Sequence, residues 1–117
     1  MSDTPQLTVR NDQEADQYEL LADGVRVGLA HYQAGPTAIA FDHTEIAPEV
    51  EGHGLGGFLV KAALDDVRAR GLAALPYCSF VRHFIETHPE YTDLVPPARR
   101  RSFGLAPAPN QPKENTP

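Results

Sequence analysis

The chain is poor in cysteine, free of tryptophan and short of positive charge along most of its length. One cysteine, Cys78, among 117 residues excludes an internal disulfide and any cysteine-rich zinc site, and fits a reduced, cytoplasmic protein. No stretch approaches the roughly 18 consecutive apolar residues of a membrane span. The opening "MSDTPQLTVR" has neither the basic start nor the apolar run of an export signal. The expectation is therefore a cytoplasmic chain with no membrane partner. Residues 1–95 carry six Lys/Arg against fifteen Asp/Glu, whereas residues 96–117 carry four against one. So acidic a body lacks the basic face that nucleic acid requires, which excludes nucleic acid as a partner.

What is present suffices for one domain with one modest core. Residues 1–95 read as that domain. Residues 96–117, "PPARRRSFGLAPAPNQPKENTP", hold six prolines and few large apolar side chains. They read as a disordered tail, because so little burial does not offset the entropy of ordering.

The first half is patterned as strands. "LTVRNDQ" and "QYELLAD" are short and rich in strand formers, and Asp23-Gly24 is a hairpin signal. "GVRVGLAHYQ" alternates, with Val25, Val27 and Leu29 on one side and Arg26, Gly28 and Ala30 on the other. In "AIAFDHTEIAP" strict alternation groups Ile39, Phe41, His43 and Glu45 on one face, and Ala40, Asp42, Thr44 and Ile46 on the other.

The period then changes. Val60, Leu64 and Val67 form a helical stripe, Asp66 and Arg70 an outer ion pair, and Gly71 a stop. "LAALPYC" is a short apolar strand. "SFVRHFIETH" is a second helix, with Ser79 as its expected cap and Pro89 as its end. The order β-β-β-β-α-β-α gives an α+β fold, an antiparallel meander followed by α-β-α.

Before the first helix stands "EGHGLGG", Glu51 to Gly57, four of whose seven residues are glycine. The dinucleotide fingerprint fails, because the next strand carries no acid and the preceding strand ends a meander. A Walker loop fails because no Lys-Ser/Thr follows the glycines. Two readings stay open: a tight turn with no ligand, or a cradle in which amides from His53 to Phe58 meet a phosphate at a helix start. No Lys or Arg lies between Arg26 and Lys61, so amides would do most of that binding.

"VEGHGLGGFLVKAALDDVRARGL" resembles motif A of the GNAT acetyltransferases, with Gly54, Leu55 and Gly56 in the G-x-G positions and Glu51 where the superfamily has Arg or Gln. "GLAHYQ", "LPYCSFV" and "HPEYTDLV" extend the resemblance to small single-domain GNAT-like proteins, from about Tyr18 to Val95. The resemblance implies a fourth and a fifth strand that splay apart. It implies acetyl-CoA as cofactor, its pyrophosphate on Glu51, Gly52, His53, Gly54, Leu55, Gly56 and Gly57. The pantetheine arm would then bond the backbone of Glu45, Ile46 and Ala47. The helices that usually build the acceptor site are missing, as in that subgroup.

Acetyl transfer to an amine needs a proton acceptor, a donor to the carbonyl oxygen and a proton for the leaving thiolate. His43 and Glu45 are candidate bases, and His31 is a weaker one. Cys78, at the start of the second helix, is a candidate nucleophile, since helix N-termini favour thiolates; the "P-x-C-x-F-V" pattern of the resembling subgroup implies a cysteine near the cofactor's sulfur, and with it an acyl-cysteine route. Each has a structural alternative: a histidine on a half-buried strand, and a small buried thiol. Two functions follow. One is an N-acetyltransferase acting on an unidentified amine; the other is a CoA-binding module without efficient transfer. Exposed strand edges are compatible with a monomer or a weak homodimer.

Overall fold

The computed structural model describes residues 6–48 and 54–105. Four strands run in sequence, β1 (Leu7–Asp12), β2 (Gln17–Ala22), β3 (Val25–Ala34) and β4 (Ala38–Ile46). Helix α1 (Leu55–Ala69) leads to β5 (Ala73–Pro76), and α2 (Ser79–Thr87) follows. A 3-10 helix (Pro89–Leu94), a short α3 (Pro97–Arg100) and a 3-10 turn (Arg101–Phe103) complete the chain. The sheet order is β1-β2-β3-β4-β5, antiparallel except for the parallel β4–β5 pair. The order expected from the sequence is the order observed.

Local chemistry explains the elements. Asp23 and Gly24 have φ of 50° and 83°, the two positive values that a tight type I′ hairpin needs. Gly71, at φ 70°, stops α1 as expected. One face of the sheet is the core. Tyr18, Leu20, Ala30, Tyr32, Ile39 and Phe41 pack there under Leu59, Val60, Ala63, Leu64 and Val67 of α1. The Tyr18 and Tyr32 rings lie 5.3 Å apart, centroid to centroid, with Phe41 at 6.1 and 6.4 Å from them. The Tyr18 hydroxyl donates to Asp66 at 2.6 Å. Burial, and then the Asp66 carboxylate, push that phenol well above its ordinary pKa. Asp66 also makes the expected pair with Arg70, at 3.6 Å.

The opposite face carries Glu19, only 2% exposed. Gln17 donates to its carboxylate at 2.6 Å, Arg10 at 2.7 Å and Arg26 at 3.3 Å. These donors, the Gln17 amide foremost, hold the carboxyl below its usual range although burial works the other way.

Two bulges break the strict alternation read from the sequence. Tyr32 pairs with Phe41 but His31 with His43, so Asp42 has no partner position on β3. Beyond it, the faces of β4 are exchanged. Thr44 and Ile46, opposite buried Ala30 and Gly28, join Ile39 and Phe41 on the helix face, and His43 and Glu45 turn to the other. The expected grouping of His43 and Glu45 with Phe41 is thus corrected. A second bulge at Val27 aligns Arg26 with Leu21 and brings it to Glu19, away from the face of Gly28.

The domain boundary expected at residue 95 also moves. Phe103 and Leu105 are buried with the core, and the Arg100 Nε donates to the Val95 carbonyl at 2.9 Å. The Phe103 ring meets Tyr77 edge-on at 5.2 Å, and the Arg99 guanidinium lies over both rings at 5.4 and 5.8 Å. Prolines restrict this segment without preventing it from packing; residues 106–117 lie outside those described. Phe103→Ala is expected to cost about 3 kcal/mol, as for other buried aromatics. That lowers the melting temperature by more than about 10 °C for a domain of this size. An unchanged thermal unfolding curve would show that the segment does not hold the body together.

Candidate active site

β4 and β5 are paired only from Ala38–Phe41 to Ala73–Pro76. Pairing ends where the Cys78 N–H donates to the Phe41 carbonyl at 2.8 Å. Past that vertex β4 continues to Ile46 while the other chain turns into α2. A gap therefore opens in the sheet, with backbone on one side and a helix start on the other. The side chains of Thr44 and Cys78 meet across it, Oγ1 to Sγ at 3.2 Å.

Two helix N-termini converge on the gap. α1 begins from Gly54, in the left-handed region at φ 74°, and α2 from Cys78; neither start has a capping side-chain hydrogen bond or an acid in its first turn. The ends touch. A Cβ on Gly56 would lie 2.4 Å from the Phe80 ring, so any larger residue would displace the ring from this position. The first intrahelical bonds, Phe58 N–H to Gly54 and Arg82 N–H to Cys78, leave the preceding amides of both helices directed outward. Paired N-termini with no carboxylate in their first turns favour positive potential, which suits an anion. Phe58 and Phe80, 41% and 43% exposed, supply apolar surface beside it.

Of the residues expected to bind a cofactor, Gly54, Leu55, Gly56 and Gly57 stand at this junction; Glu51, Gly52 and His53 lie outside the described residues. The Ala47 N–H is taken by the Val27 carbonyl at 2.8 Å, so its backbone faces β3 and not the gap. By antiparallel alternation Glu45 faces β3 as well, while Thr44 and Ile46 present their backbones to the gap. Of Glu45, Ile46 and Ala47, expected to serve together, Ile46 alone turns its backbone to the gap. Ala47 instead lines a hollow of about 250 Å³ with Arg26, Ile46 and Pro48. Cys78 is half-buried at the vertex and is itself the N-cap of α2, the position expected for Ser79. His43 and Glu45 pair with each other at 3.4 Å on the opposite, exposed face. The thiol and these two candidate bases therefore lie on opposite faces of the sheet.

Three features of this region are not legible in the sequence. Thr44 was assigned to the wrong face because the bulge is invisible to strict alternation. Phe80 reads as core, and only the glycine opposite it hints at a close approach. The pairing of His31 Nδ1 with Asp42 Oδ1, at 2.7 Å, depends on the same bulge. Among the described residues no cluster of His, Cys, Asp or Glu has the form of a metal site, and no helix is long and apolar enough to cross a membrane.

Residues 17–94 match a family profile described as GCN5-related N-acetyl-transferase. Among curated proteins, Protein NATD1 of Bos taurus is 27% identical over 95 residues, covering 78% of this chain and 84% of that protein. Protein NATD1 of Xenopus tropicalis is 25% identical over 101 residues, covering 83% and 93%. The solution structure of a GCN5-like protein from Staphylococcus aureus shares the fold, with a TM-score of 0.59 at 22% identity over 81% of this chain and 91% of that one. A splayed parallel strand pair with a glycine-led helix start at its mouth is the architecture on which the profile falls, and the chain belongs to the GCN5-related N-acetyltransferase family.

Proposed function

We propose that this protein transfers the acetyl group of acetyl-CoA to an amine. The observation that carries the reading is the gap between β4 and β5 with two uncapped helix N-termini at its mouth. A pyrophosphate is matched by the outward amides of α1 beside Gly54, Leu55, Gly56 and Gly57, which no carboxylate in the first turn opposes. A pantetheine arm is an extended chain of amides, and the backbone that Thr44 and Ile46 turn to the gap is where it would pair in place of a strand. Phe58 and Phe80 would cover its apolar parts. The thioester would then lie near Cys78 and Thr44, with the Thr44 hydroxyl placed to donate to a developing negative charge.

The pairing of His43 with Glu45 at 3.4 Å, on the face away from the thiol, favours a second reading, a CoA-binding module without efficient transfer, because a fold does not by itself bring its chemistry. Incubation with acetyl-CoA and a mixture of amines, followed by free-thiol release, separates the two. Amine-dependent release is the expected result. Saturable acetyl-CoA binding without release would establish the module.

A further inference from the structure

We propose that the face of the sheet turned away from the helices is the acceptor side, and that His31, held by Asp42, takes the amine's proton there. The proposal rests on the acetyl-transfer reading and adds to it a site and a base. The bulge is its origin. Asp42 follows Phe41, the residue whose carbonyl marks the vertex of the gap, and directs its carboxylate to the exposed face. There it meets His31 Nδ1 at 2.7 Å, and Gln33 Nε2 donates to its other oxygen at 3.4 Å. A carboxylate only accepts, so the neutral imidazole carries its hydrogen on Nδ1 and keeps Nε2 as a lone-pair acceptor. His43 lacks this arrangement, since its Nε2 faces Glu45 at 3.4 Å. Gln17 of β2 and His43 of β4 stand opposite His31 in register, and neither brings a permanent charge.

A second observation places the acceptor's carbon skeleton. Gln33, which bonds Asp42, also lines a hollow of about 300 Å³ with Pro36, Thr37, Ala38, Ala40 and Leu75. Ala40 and Leu75 are partners across the last stretch of paired β4–β5. The hollow therefore ends at the vertex on the same side as the dyad. It is shallow and largely apolar, which suits the short carbon chain of a primary amine.

The atoms balance as follows. The ammonium gives one proton to His31 Nε2, and the freed lone pair forms a C–N bond to the acetyl carbonyl carbon. The C–S bond breaks with its electron pair on sulfur, whether that sulfur belongs to CoA or to Cys78. The nitrogen sheds its second proton. Of the two protons one ends on the thiolate and one in solvent, leaving His31 neutral. Asp42 does not touch the amine and acts as a positioning residue.

The test has two parts on the full chain. Long-range ¹H–¹⁵N spectra of histidine-labelled protein should show neutral His31 as the Nδ1–H tautomer, and Asp42→Asn should remove that preference. An Nε2–H tautomer in the wild type overturns the proposal. Turnover is then followed with acetyl-CoA and two probes, butylamine for a free amine and a lysine-containing peptide for a protein-borne one. His31→Gln should lower kcat about 100-fold, the lower end for loss of a general base. Asp42→Asn should lower kcat with little change in amine KM, and Asp42→Glu should recover part of the loss. Ala40→Leu, which fills the hollow, should raise amine KM about tenfold with kcat kept, a loss of the size expected for a blocked apolar subsite. Full turnover in His31→Gln with His43→Gln inactive assigns the base to His43 and overturns the proposal. Calorimetry of acetyl-CoA separates the remaining failures. Tight binding without turnover on either probe defeats the acceptor site alone, whereas absence of binding removes the acetyl-transfer reading and this proposal with it.

Discussion

Gly54→Glu is expected to abolish the thermal stabilisation that acetyl-CoA confers, in a chain that still folds. A ligand bound only by the native state stabilises it by about 2.7 kcal/mol at a hundred times its Kd, which is several degrees or more for a domain this size. Gly54 occupies the left-handed region at φ 74°, and an added Cβ there meets nothing within 4 Å. A side chain at this position therefore costs about 1–2 kcal/mol of backbone strain without a clash. A glutamate recovers part of that cost, because a carboxylate at a helix N-terminus contributes about 0.3–1 kcal/mol. The same carboxylate occupies the anion's place and repels it. Gly54→Ala carries the strain without the charge and should keep most of the acetyl-CoA shift. Differential scanning fluorimetry of the three proteins with and without acetyl-CoA decides the matter. Equal shifts in wild type and Gly54→Glu would mean that the α1 start does not hold the phosphates.

The second large effect concerns Cys78. Wild-type protein incubated with acetyl-CoA should gain one acetyl mass that hydroxylamine removes, and Cys78→Ser should gain none. The thiolate would attack the carbonyl carbon, the bond to the CoA sulfur would break, and the departing CoA thiolate would take up the proton. Exchange of one thioester for another is nearly isoenergetic, so the thiol's position and protonation govern the rate. Thr44 lies 3.2 Å from Sγ, within reach for a hydrogen bond to the anion. Hydrogen bonds to charged groups contribute about 1.5–3 kcal/mol, so Thr44→Val should slow acylation at least about tenfold. Acetyl-CoA affinity should hold in both variants, because the phosphate contacts proposed at the α1 start are elsewhere. Intact-protein mass spectrometry reads all of this. If no adduct forms and Cys78→Ala retains full turnover on a competent amine, the thiol only packs, and transfer passes directly from CoA to the amine.

Much of the fold was legible because the chain announces it locally. Asp23-Gly24, Gly71 and the stripe of Val60, Leu64 and Val67 each state an element in a few residues, and each is found as read. The site was legible in outline, as a glycine-led helix start near a lone cysteine. Its faces were not. A single unpaired residue, Asp42, inverts the inward and outward sense of everything after it on β4, and nothing in the composition of "FDHTE" marks which residue is extra. The pairing of His31 with Asp42 was hidden for the same reason, since it needs the register as well as the bulge. The segment after Pro96 misled through its composition. Phe103 and Leu105 are few, but Tyr77 and the core offer them surface that local sequence cannot reveal.

Strand order across the sheet is also the order in which the strands are synthesised. Each of β2, β3 and β4 finds a partner in the strand made just before it, so the meander is a unit of low contact order. β5 alone waits for an intervening helix, and it joins through four register pairs. The last seam to close is therefore the one that borders the gap. Parting it would break the four register pairs and the flanking bonds of Ala73 to Thr37 and Cys78 to Phe41 while leaving the hairpins whole, so this seam is where a local opening of the sheet is expected first.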